Sequence, residues 1–231
     1  MRTMRKYLRI ILIVAICLSF SITASTQETS RNELNSIKKL FKTHSIKRYD
    51  LWIQLINKIS QNKKVRIAEI GVWKGDFAYQ VLKNCPNIEK HYLVDPWRHL
   101  KDWKKPFNVS NEQFNSVFET TMRKLDFAKD KICVLRGTTL EVVDQINDSE
   151  LDLVYIDGDH TAKGIVIDLI KLFPKVKEGG VIGGDDYTDN IYHHDPNRFD
   201  PTMVKPVVNG FVAAHNVKHF FSNADQFSFI K

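Results

Sequence analysis

From Val65 onward the chain alternates short apolar runs with amphipathic segments, and this alternation constrains the fold more than any other feature. Apolar runs of this length are typical of parallel strands that are covered on both faces. The predicted strands are Val65–Ile70, His91–Val94, Ile132–Leu135, Leu151–Ile156 and Gly180–Gly183. The predicted helices between them are Phe77–Leu82, Phe114–Leu125, Leu140–Ile146 and Ile165–Phe173. The alternation predicts an α/β fold with a doubly wound, mostly parallel sheet.

The end of the chain departs from this alternation. After a predicted helix at Val204–Ala214 come two further segments, Lys218–Ser222 and Gln226–Ile230. The residues Asn223-Ala-Asp separate them, and a short polar break of this kind is typical of an antiparallel hairpin, here at the edge of the sheet. Such a terminal hairpin is unusual for a dinucleotide-binding fold.

The chain before Val65 divides into two parts. Helical patterns at Glu33–Phe41 and Tyr49–Ile59 predict two helices that pack on the sheet. The residues that precede them have a different composition, which is typical of a targeting segment. The predicted organisation is a signal peptide or signal anchor in residues 1–24, N-terminal helices in residues 25–64 and a main domain in residues 65–231.

The targeting segment begins with four basic residues and no acid, and the apolar run Ile10–Phe20 follows, interrupted only by Ser19. This order is typical of a secretory signal, whereas a helix of the fold would show a polar face. The run is shorter than the ~20 residues that span a bilayer, which favours cleavage near Ala24. Membrane anchoring through residues 8–24 is the alternative. Either outcome predicts a protein of the secretory pathway, secreted or membrane-anchored.

The composition excludes several classes of protein. Three cysteines in 231 residues, with no Cys-x-x-Cys pair, argue against a disulfide-framed small protein and against a zinc site. Cys133 lies in an apolar strand, so we predict that it and Cys85 are buried thiols. The targeting segment carries four of the +7 formal net charge, and no basic stripe interleaved with aromatic residues follows it. We therefore predict no nucleic-acid partner.

A glycine-containing turn follows the first predicted strand, where open α/β sheets bind their ligands. It contains Glu69, Gly71 and Gly75. Gly71 would allow a ligand to approach the backbone, and the start of the next helix near Asp76 would supply free N–H groups. The turn lacks the Gly-x-Gly-x-x-Gly spacing of dinucleotide-binding folds, and a plain tight turn explains it equally well.

Polar residues also follow the second and third predicted strands. Asp95 lies about 20 residues beyond the glycines, where a carboxylate can accept hydrogen bonds from both ribose hydroxyls. Thr138 and Thr139 follow the third strand. Their hydroxyls would cap the next helix or reach the edge of an adenine ring, and the two interpretations are compatible.

Three carboxylates follow the fourth and fifth predicted strands. Asp157, Asp185 and Asp186 would be close together if these strands are neighbours, and such a cluster of hard oxygen ligands suits Mg²⁺ or Ca²⁺. Without a cation the three charges would repel one another, which favours a metal site over the alternative of solvated acids at the strand ends. His160 follows Asp157 by three residues and would act as a base beside a metal, or only bond a neighbouring loop.

The sequence resembles the class I S-adenosylmethionine-dependent methyltransferases, and among them the small O-methyltransferases of the catechol and macrocin types. The resemblance covers about residues 50 to 231. Its most specific blocks are Tyr155-Ile-Asp-Gly-Asp-His160 and Gly184-Asp-Asp-Tyr187. The terminal hairpin is similar to the one that carries the antiparallel seventh strand of these enzymes. The resemblance implies a Rossmann-like methyltransferase fold with a seven-stranded sheet.

The resemblance also implies roles for the residues singled out above. Glu69 and Gly71 would face the methionine end of the cofactor S-adenosylmethionine, with Gly75 in the same turn. Asp95 would bind the ribose, and Thr138 and Thr139 would lie near the adenine. The metal ligands would be Asp157, Asp185 and Asp186. The sequence differs from the catechol pattern in having Asp186 in place of the usual Asn, and His160 in place of the usual lysine base.

The predicted function is O-methyl transfer to a hydroxyl of a small molecule or a sugar, assisted by Mg²⁺ or another divalent cation. His160 and Asp157 are the predicted catalytic residues. A nucleotide-dependent oxidoreductase is one alternative, and the missing glycine pattern and the terminal hairpin argue against it. The other is a catalytically inactive methyltransferase-like domain that binds a ligand, and three convergent carboxylates argue against it.

Overall fold

The computed structural model describes residues 32, 34–43, 46–61 and 63–231, so the predicted targeting segment lies outside the described residues. The helices are α1 (residues 34–41), α2 (Arg48–Ile59), α3 (Asp76–Asn84), α4 (Asn111–Leu125), α5 (Thr139–Val142), α6 (Ala162–Leu172) and α7 (Val204–Ala214). The strands are β1 (Val65–Ile70), β2 (Ile88–Asp95), β3 (Ile132–Arg136), β4 (Leu151–Ile156), β5 (Val176–Gly184), β6 (Phe220–Asn223) and β7 (Gln226–Ile230).

The seven strands form a single sheet in the order β3-β2-β1-β4-β5-β7-β6. Strands β1 to β5 pair in parallel, and β7 pairs antiparallel with both β5 and β6. The predicted doubly wound sheet with a C-terminal antiparallel hairpin is therefore confirmed. The chain runs outward from β1 to β3 and then returns to β4, so the strand order reverses between β1 and β4. In sheets of this kind the crevice beside that reversal is the usual ligand site.

The core explains why these runs form central strands. All six residues of β4 are buried, and its penultimate residue, Tyr155, stacks on Phe77 of α3, with ring centroids 3.9 Å apart. The indole of Trp52 on α2 meets the same tyrosine edge-on, at 4.9 Å. Helices α2 and α3 thus cover one face of β4, and α2 belongs to the same compact unit as the sheet, Phe41–Lys231.

The strand boundaries differ from prediction where polar residues occupy a strand end. Strand β5 begins at Val176 rather than Gly180, because its first residues include exposed Glu178 and Gly179, which interrupt the apolar run. Strand β2 begins at Ile88 for the same reason, since Glu89 is exposed. Backbone hydrogen bonding to a neighbour defines a strand even where its side chains face solvent. The predicted helix Leu140–Ile146 is α-helical only to Val142 and continues as a 3₁₀ turn.

The two cysteines beyond the targeting segment were predicted to be buried thiols. Cys85 and Cys133 are free thiols, as predicted; burial raises the pKa of Cys85 to about 12, whereas Cys133 is only half-buried. In the part of the chain that the structure describes, no helix has both the length and the apolar character needed to cross a bilayer.

Candidate active site

A cavity of about 1070 Å³ opens at the carboxyl ends of the central strands. Nearly all the residues predicted from the sequence line it: Glu69, Gly71, Asp95, Thr138, Thr139, Asp157, His160, Asp185 and Asp186. We call the first five the cofactor half, and Asp157, Asp185 and Asp186 the acid edge. Gly75 is not among the lining residues, and its contact with a cofactor stays a prediction.

The two glycines of the turn after β1 are required by backbone packing. Gly71 has φ +83°, and a Cβ at this position would collide with the carbonyl oxygen of Asp157 in the turn after β4. Gly75 has φ +68°, and its Cβ would lie 2.6 Å from the side chain of Thr121 on α4. Both conformations favour glycine. Gly71 therefore lets two turns of the site touch, and Gly75 lets α3 begin against α4.

Asp95 is held by three backbone N–H groups. Its Oδ2 accepts hydrogen bonds from Val72 and Trp73 at 2.9 Å each, and its Oδ1 accepts one from Trp97 at 2.7 Å. Burial nevertheless raises the pKa of Asp95, although these bonds act in the opposite direction. Asp95 is only 7% exposed, so it is not a solvated acid at the end of its strand. It joins the turns after β1 and β2 and lines the cavity.

Glu69 lies beneath the turn that Asp95 shapes, and it is almost completely buried. Its Oε2 lies 3.5 Å from Nε2 of His91 on β2, and neither atom has a hydrogen-bond partner among the described residues. Burial, with Asp157 and Asp95 nearby, raises the pKa of Glu69 well above its ordinary value, and burial lowers the pKa of His91 to about 3. Both shifts favour the uncharged forms, so Glu69 and His91 add little charge to the cofactor half.

Thr138 and Thr139 differ in what their hydroxyls do. Thr138 is the N-cap of α5 and forms a capping box with Glu141, whose Oε2 accepts hydrogen bonds from the Thr138 backbone N–H and hydroxyl at 2.9 and 3.0 Å. The predicted capping is thus confirmed for Thr138. Thr139 is buried, and its hydroxyl faces Asp168 on α6. Asp168 also lines the cavity. No local sequence signal marks it, because it is a single polar residue inside a helical pattern.

The acid edge is neutralised by a residue from the start of α2. One nitrogen of the Arg48 guanidinium lies 3.2 Å from Asp157 Oδ2 and contacts Asp185 Oδ2. Asp185 Oδ1 accepts a hydrogen bond from Gln226, whose side-chain oxygen in turn accepts one from Trp52 Nε1 at 2.7 Å. No local sequence signal marks Arg48, since more than a hundred residues separate it from either carboxylate.

His160 provides the second positive group of the acid edge. Its Nδ1 lies 2.6 Å from Asp186 Oδ2, and its Nε2 lies 3.5 Å from Asp157 Oδ1. Burial lowers the pKa of His160, but the two carboxylates outweigh it and raise the pKa to about 10. The same contact holds the pKa of Asp186 below its usual range, although burial acts to raise it. His160 therefore carries a proton at neutral pH in this conformation.

The chemistry of the acid edge suits a hard cation, yet its present geometry does not form a metal site. Three carboxylates are the ligands that Mg²⁺ prefers. Among the described residues, however, no group of three His, Cys, Asp or Glu side chains is arranged to hold a metal ion. Arg48 and His160 compensate the negative charge instead. The expectation that the three acids converge is therefore met, and their neutralisation comes from the chain itself.

Two loops wall the cavity, and a buried lysine joins them. Nζ of Lys105 donates to the carbonyl oxygens of Asp200 and Pro201, at 2.9 and 3.1 Å. Trp103 Nε1 donates to Asp159 Oδ1 at 2.9 Å, which ties the first loop to the turn after β4. Both loops line the same cavity as the acid edge.

Comparison with known proteins agrees with this fold and site. A sequence profile described as a methyltransferase domain matches residues 68–187, which is more than half of the chain. No curated protein sequence matches the chain. The structure is similar to that of the O-methyltransferase NovP, with a TM-score of 0.60 and 17% identity over 80% of this chain and 79% of NovP.

Two other solved structures share the fold. A Staphylococcus aureus protein assigned as a caffeoyl-CoA O-methyltransferase has a TM-score of 0.57 and 18% identity, over 86% of this chain and 90% of its own. The methyltransferase MycE, solved with Mg, SAH and mycinamycin VI, has a TM-score of 0.51 and 17% identity, over 86% of this chain and 54% of its own.

A doubly wound sheet with an antiparallel seventh strand, and a cavity over its strand reversal, define the class I methyltransferase fold that the sequence resembles. The chain belongs to the methyltransferase domain family. It is an S-adenosylmethionine-dependent methyltransferase, as the sequence predicted.

Proposed function

We propose that this methyltransferase transfers the methyl group of S-adenosylmethionine to a hydroxyl oxygen of a small molecule or a sugar, with the assistance of a divalent cation. The observation that carries the proposal is the continuity of one cavity, which reaches from the turn after β1 to the carboxylates after β4 and β5. A methyl donor in the cofactor half and an acceptor oxygen at the acid edge would meet there, as transfer between two bound molecules requires. The O-methyltransferases of similar fold support the same reaction.

The cofactor half supplies contacts for each part of S-adenosylmethionine. Glu69 and Gly71 would face the methionine end, Asp95 the ribose, and Thr138 and Thr139 the adenine. A carboxylate has about four lone-pair sites, and three backbone N–H groups use three of those on Asp95. Asp95 thus retains acceptor capacity for a ribose hydroxyl.

Asp157, Asp185 and Asp186 would hold Mg²⁺ or another divalent cation. Their chemistry fits such an ion, since they are hard oxygen ligands that already attract two cationic side chains, Arg48 and His160. A bound divalent cation supplies the charge that lowers the pKa of a substrate hydroxyl. The Mg that MycE binds in its crystal structure supports this assignment.

His160 would take the proton of the substrate hydroxyl. In the described conformation it cannot do so at neutral pH, because Asp157 and Asp186 keep it protonated. When the charge of those carboxylates is shared with a cation, their hold on the imidazole proton weakens. Its Nε2, which has no hydrogen-bond partner among the described residues, is then able to accept. Asp186 would orient the ring through its contact with Nδ1, and Asp157 would act on the substrate hydroxyl through the cation that it helps to hold.

An inactive domain that binds the cofactor without transferring its methyl group is the second candidate. One observation favours it: the three carboxylates are already neutralised by Arg48 and His160, so the chain has no electrostatic need of a metal. The oxidoreductase alternative has no such support, because β7 runs antiparallel and the family match is to methyltransferases.

Two measurements separate these candidates. Calorimetric titration with S-adenosylhomocysteine tests cofactor binding. Transfer of a labelled methyl group to a panel of catechols, polyphenols and sugar diols tests activity, with EDTA and with added Mg²⁺. We expect cofactor binding in both conditions and transfer only with Mg²⁺. Transfer that is indifferent to EDTA would exclude the metal, and cofactor binding with no transfer to any acceptor would leave the inactive domain.

We also propose that residues 1–24 direct the chain to a secretory or membrane route. The four basic residues and the apolar run Ile10–Phe20 support this. Fractionation of cells that express the full chain with a C-terminal tag tests it. A cytosolic product that retains Met1 would contradict the proposal.

A further inference from the structure

Arg48 is a cationic side chain of the cavity that the proposed reaction does not use. It is the first residue of α2, lines the cavity and has a side chain that is 35% exposed. Its Nη1 lies 3.2 Å from Oδ2 of Asp157, which follows β4, and it also contacts Oδ2 of Asp185, which follows β5. Carboxylate oxygens from two neighbouring strands therefore converge on a single cationic nitrogen.

Arg48 is the only hydrogen-bond donor to either of these Oδ2 atoms among the described residues. The other oxygen of each carboxylate is held independently. Asp185 Oδ1 accepts a hydrogen bond from the side chain of Gln226, and Asp157 Oδ1 lies 3.5 Å from Nε2 of His160. Both carboxylates would therefore keep a partner if the guanidinium moved away, and the two Oδ2 atoms would become free.

The neighbouring residue Tyr49 offers the guanidinium a place outside the acid edge. Arg48 Nη2 donates to the Tyr49 hydroxyl at 3.0 Å, and the guanidinium carbon lies 4.8 Å from the centre of the Tyr49 ring. A hydrogen bond and a cation–π contact stabilise a guanidinium without any carboxylate. Arg48 can thus release both carboxylates and keep its contacts with Tyr49.

A divalent cation would compete with Arg48 for the same two oxygens. Mg²⁺ binds carboxylate oxygens at about 2.1 Å. An ion bound to the Oδ2 atoms of Asp157 and Asp185 would lie within a few ångströms of Nη1, where two positive charges repel each other. Binding of the one cation at these oxygens therefore disfavours binding of the other.

We propose that Arg48 is a built-in competitor for the cation of the acid edge, and that a divalent cation binds Asp157 and Asp185 by displacing the guanidinium toward Tyr49. This inference rests on the proposed metal site. In the metal-free chain Arg48 compensates carboxylates whose burial without a partner would be costly. Its displacement lowers the affinity for the cation, so Arg48 sets the metal concentration at which the site fills.

The alternative is that Arg48 only holds the two carboxylates at the spacing in which a metal can bind. In that case loss of Arg48 would weaken metal binding or leave it unchanged. Competition predicts the opposite sign, because the cation no longer has to displace a guanidinium. The direction of the change in metal affinity therefore separates the two interpretations, and its measurement requires no methyl acceptor.

The experiment measures the binding of Mn²⁺ to three forms of the full chain by calorimetry, with S-adenosylhomocysteine present. Mn²⁺ takes the same oxygen ligands as Mg²⁺. The forms are the wild type, Arg48→Gln, which removes the charge and keeps a polar side chain, and the control Arg98→Gln. Arg98 also lines the cavity, but it pairs with Glu141 on α5 rather than with the acid edge.

We expect Arg48→Gln to bind Mn²⁺ at least about tenfold more tightly than the wild type, the scale of hydrogen bonds to a charged group. Arg98→Gln should stay within about threefold of the wild type. A gain in affinity for Arg48→Gln no larger than that of the control, or a loss, would overturn the proposal. Binding of Mn²⁺ to none of the three forms would overturn the proposed metal site and this inference with it, so the two failures are distinguishable.

A crystal structure of the wild type with Mn²⁺ covers the case in which Arg48→Gln does not fold. The anomalous signal of manganese should lie beside Oδ2 of Asp157 and of Asp185, and the guanidinium of Arg48 should contact Tyr49 and neither carboxylate. Manganese at the acid edge with both carboxylate contacts of Arg48 intact would overturn the proposal. An acid edge without manganese would overturn the proposed metal site as well.

Discussion

The two halves of the cavity are held in place by different kinds of contact. In the cofactor half, the carboxylate of Asp95 is fixed by backbone N–H groups of its own and the adjoining turn. At the acid edge, Asp185 is fixed by side chains that come from distant parts of the chain, Arg48 on α2 and Gln226 on β7. The contacts of Asp95 are kept as long as the two turns keep their conformation. The contacts of Asp185 depend on the charges of the neighbouring side chains.

The kind of contact that holds each half determines what that half can do. Backbone donors do not titrate and do not leave, so the cofactor half is organised before any ligand arrives. The ion pairs of the acid edge can exchange partners, because a guanidinium or an imidazolium is replaceable by another cation. We therefore expect the acid edge to respond to metal and pH, and the backbone contacts of the cofactor half to be insensitive to metal.

We expect the largest effect from Asp185→Ala, on the rate of methyl transfer. The change removes a proposed metal ligand and a partner of Arg48, so activity should fall by about a thousandfold or more, while affinity for S-adenosylhomocysteine is kept. Rate measurements with a responsive acceptor, beside calorimetry, check this. Asp148→Ala is the control, since this exposed carboxylate precedes β4 at the opposite end of the strand. A mutant within tenfold of the wild-type rate would remove the distinction between the halves.

The next effect belongs to the cofactor half. Asp95→Ala should weaken binding of S-adenosylhomocysteine by about 1 to 3 kcal/mol, because hydrogen-bond partners are left unpaired, and Mg²⁺ or EDTA should not alter the loss. Calorimetry in both conditions measures it. Asp76→Ala is the matched control, an exposed acid of the same cavity wall that pairs with Lys124. Undiminished affinity in Asp95→Ala would exclude this carboxylate from the cofactor site.

A smaller effect concerns the pH dependence of stability. The folded-state pKa of His160, about 10, lies above its ordinary value of about 6.5, so its ion pairs stabilise the fold fully below pH 6.5 and lose that effect as the pH rises through 10. In EDTA, the free energy of unfolding of the wild type should exceed that of His160→Gln by at least about 1.4 kcal/mol at pH 6, the value of one pKa unit. The difference should narrow toward pH 10.

Denaturant unfolding at several pH values provides the measurement. His219→Gln is the control, because His219 is exposed and lies near the C-terminal hairpin rather than at the acid edge. A difference between wild type and His160→Gln that stays constant from pH 6 to pH 10 would show that the imidazole is not held in its charged form. The acid edge would then lack the expected response to pH.

The same division explains how much could be predicted from the sequence. Strands such as β4 and the turn containing Gly71 have local signals, in apolar runs and in a residue type that a positive φ requires. Arg48 and Asp168 have none, because each is a single polar residue in a helix whose partner is set by tertiary packing. Gly75 also has a positive φ, and its close contact with Thr121 on α4 explains the glycine through packing.

The smallest expected effect tests whether the cofactor half is built from local contacts. Thr138→Val removes the hydroxyl that bonds Glu141 at the start of α5 and keeps the branched shape, so the free energy of unfolding should fall by about 0.5 to 1 kcal/mol. Because the contact joins residues three apart, this loss should be the same at pH 6 and pH 10 and with or without Mg²⁺. Thr120→Val, on the exposed face of α4, should change stability by less than about 0.5 kcal/mol. A loss in Thr138→Val that varied with Mg²⁺ would mean that α5 is coupled to the acid edge through Thr139 and Asp168, and that the two halves do not act independently.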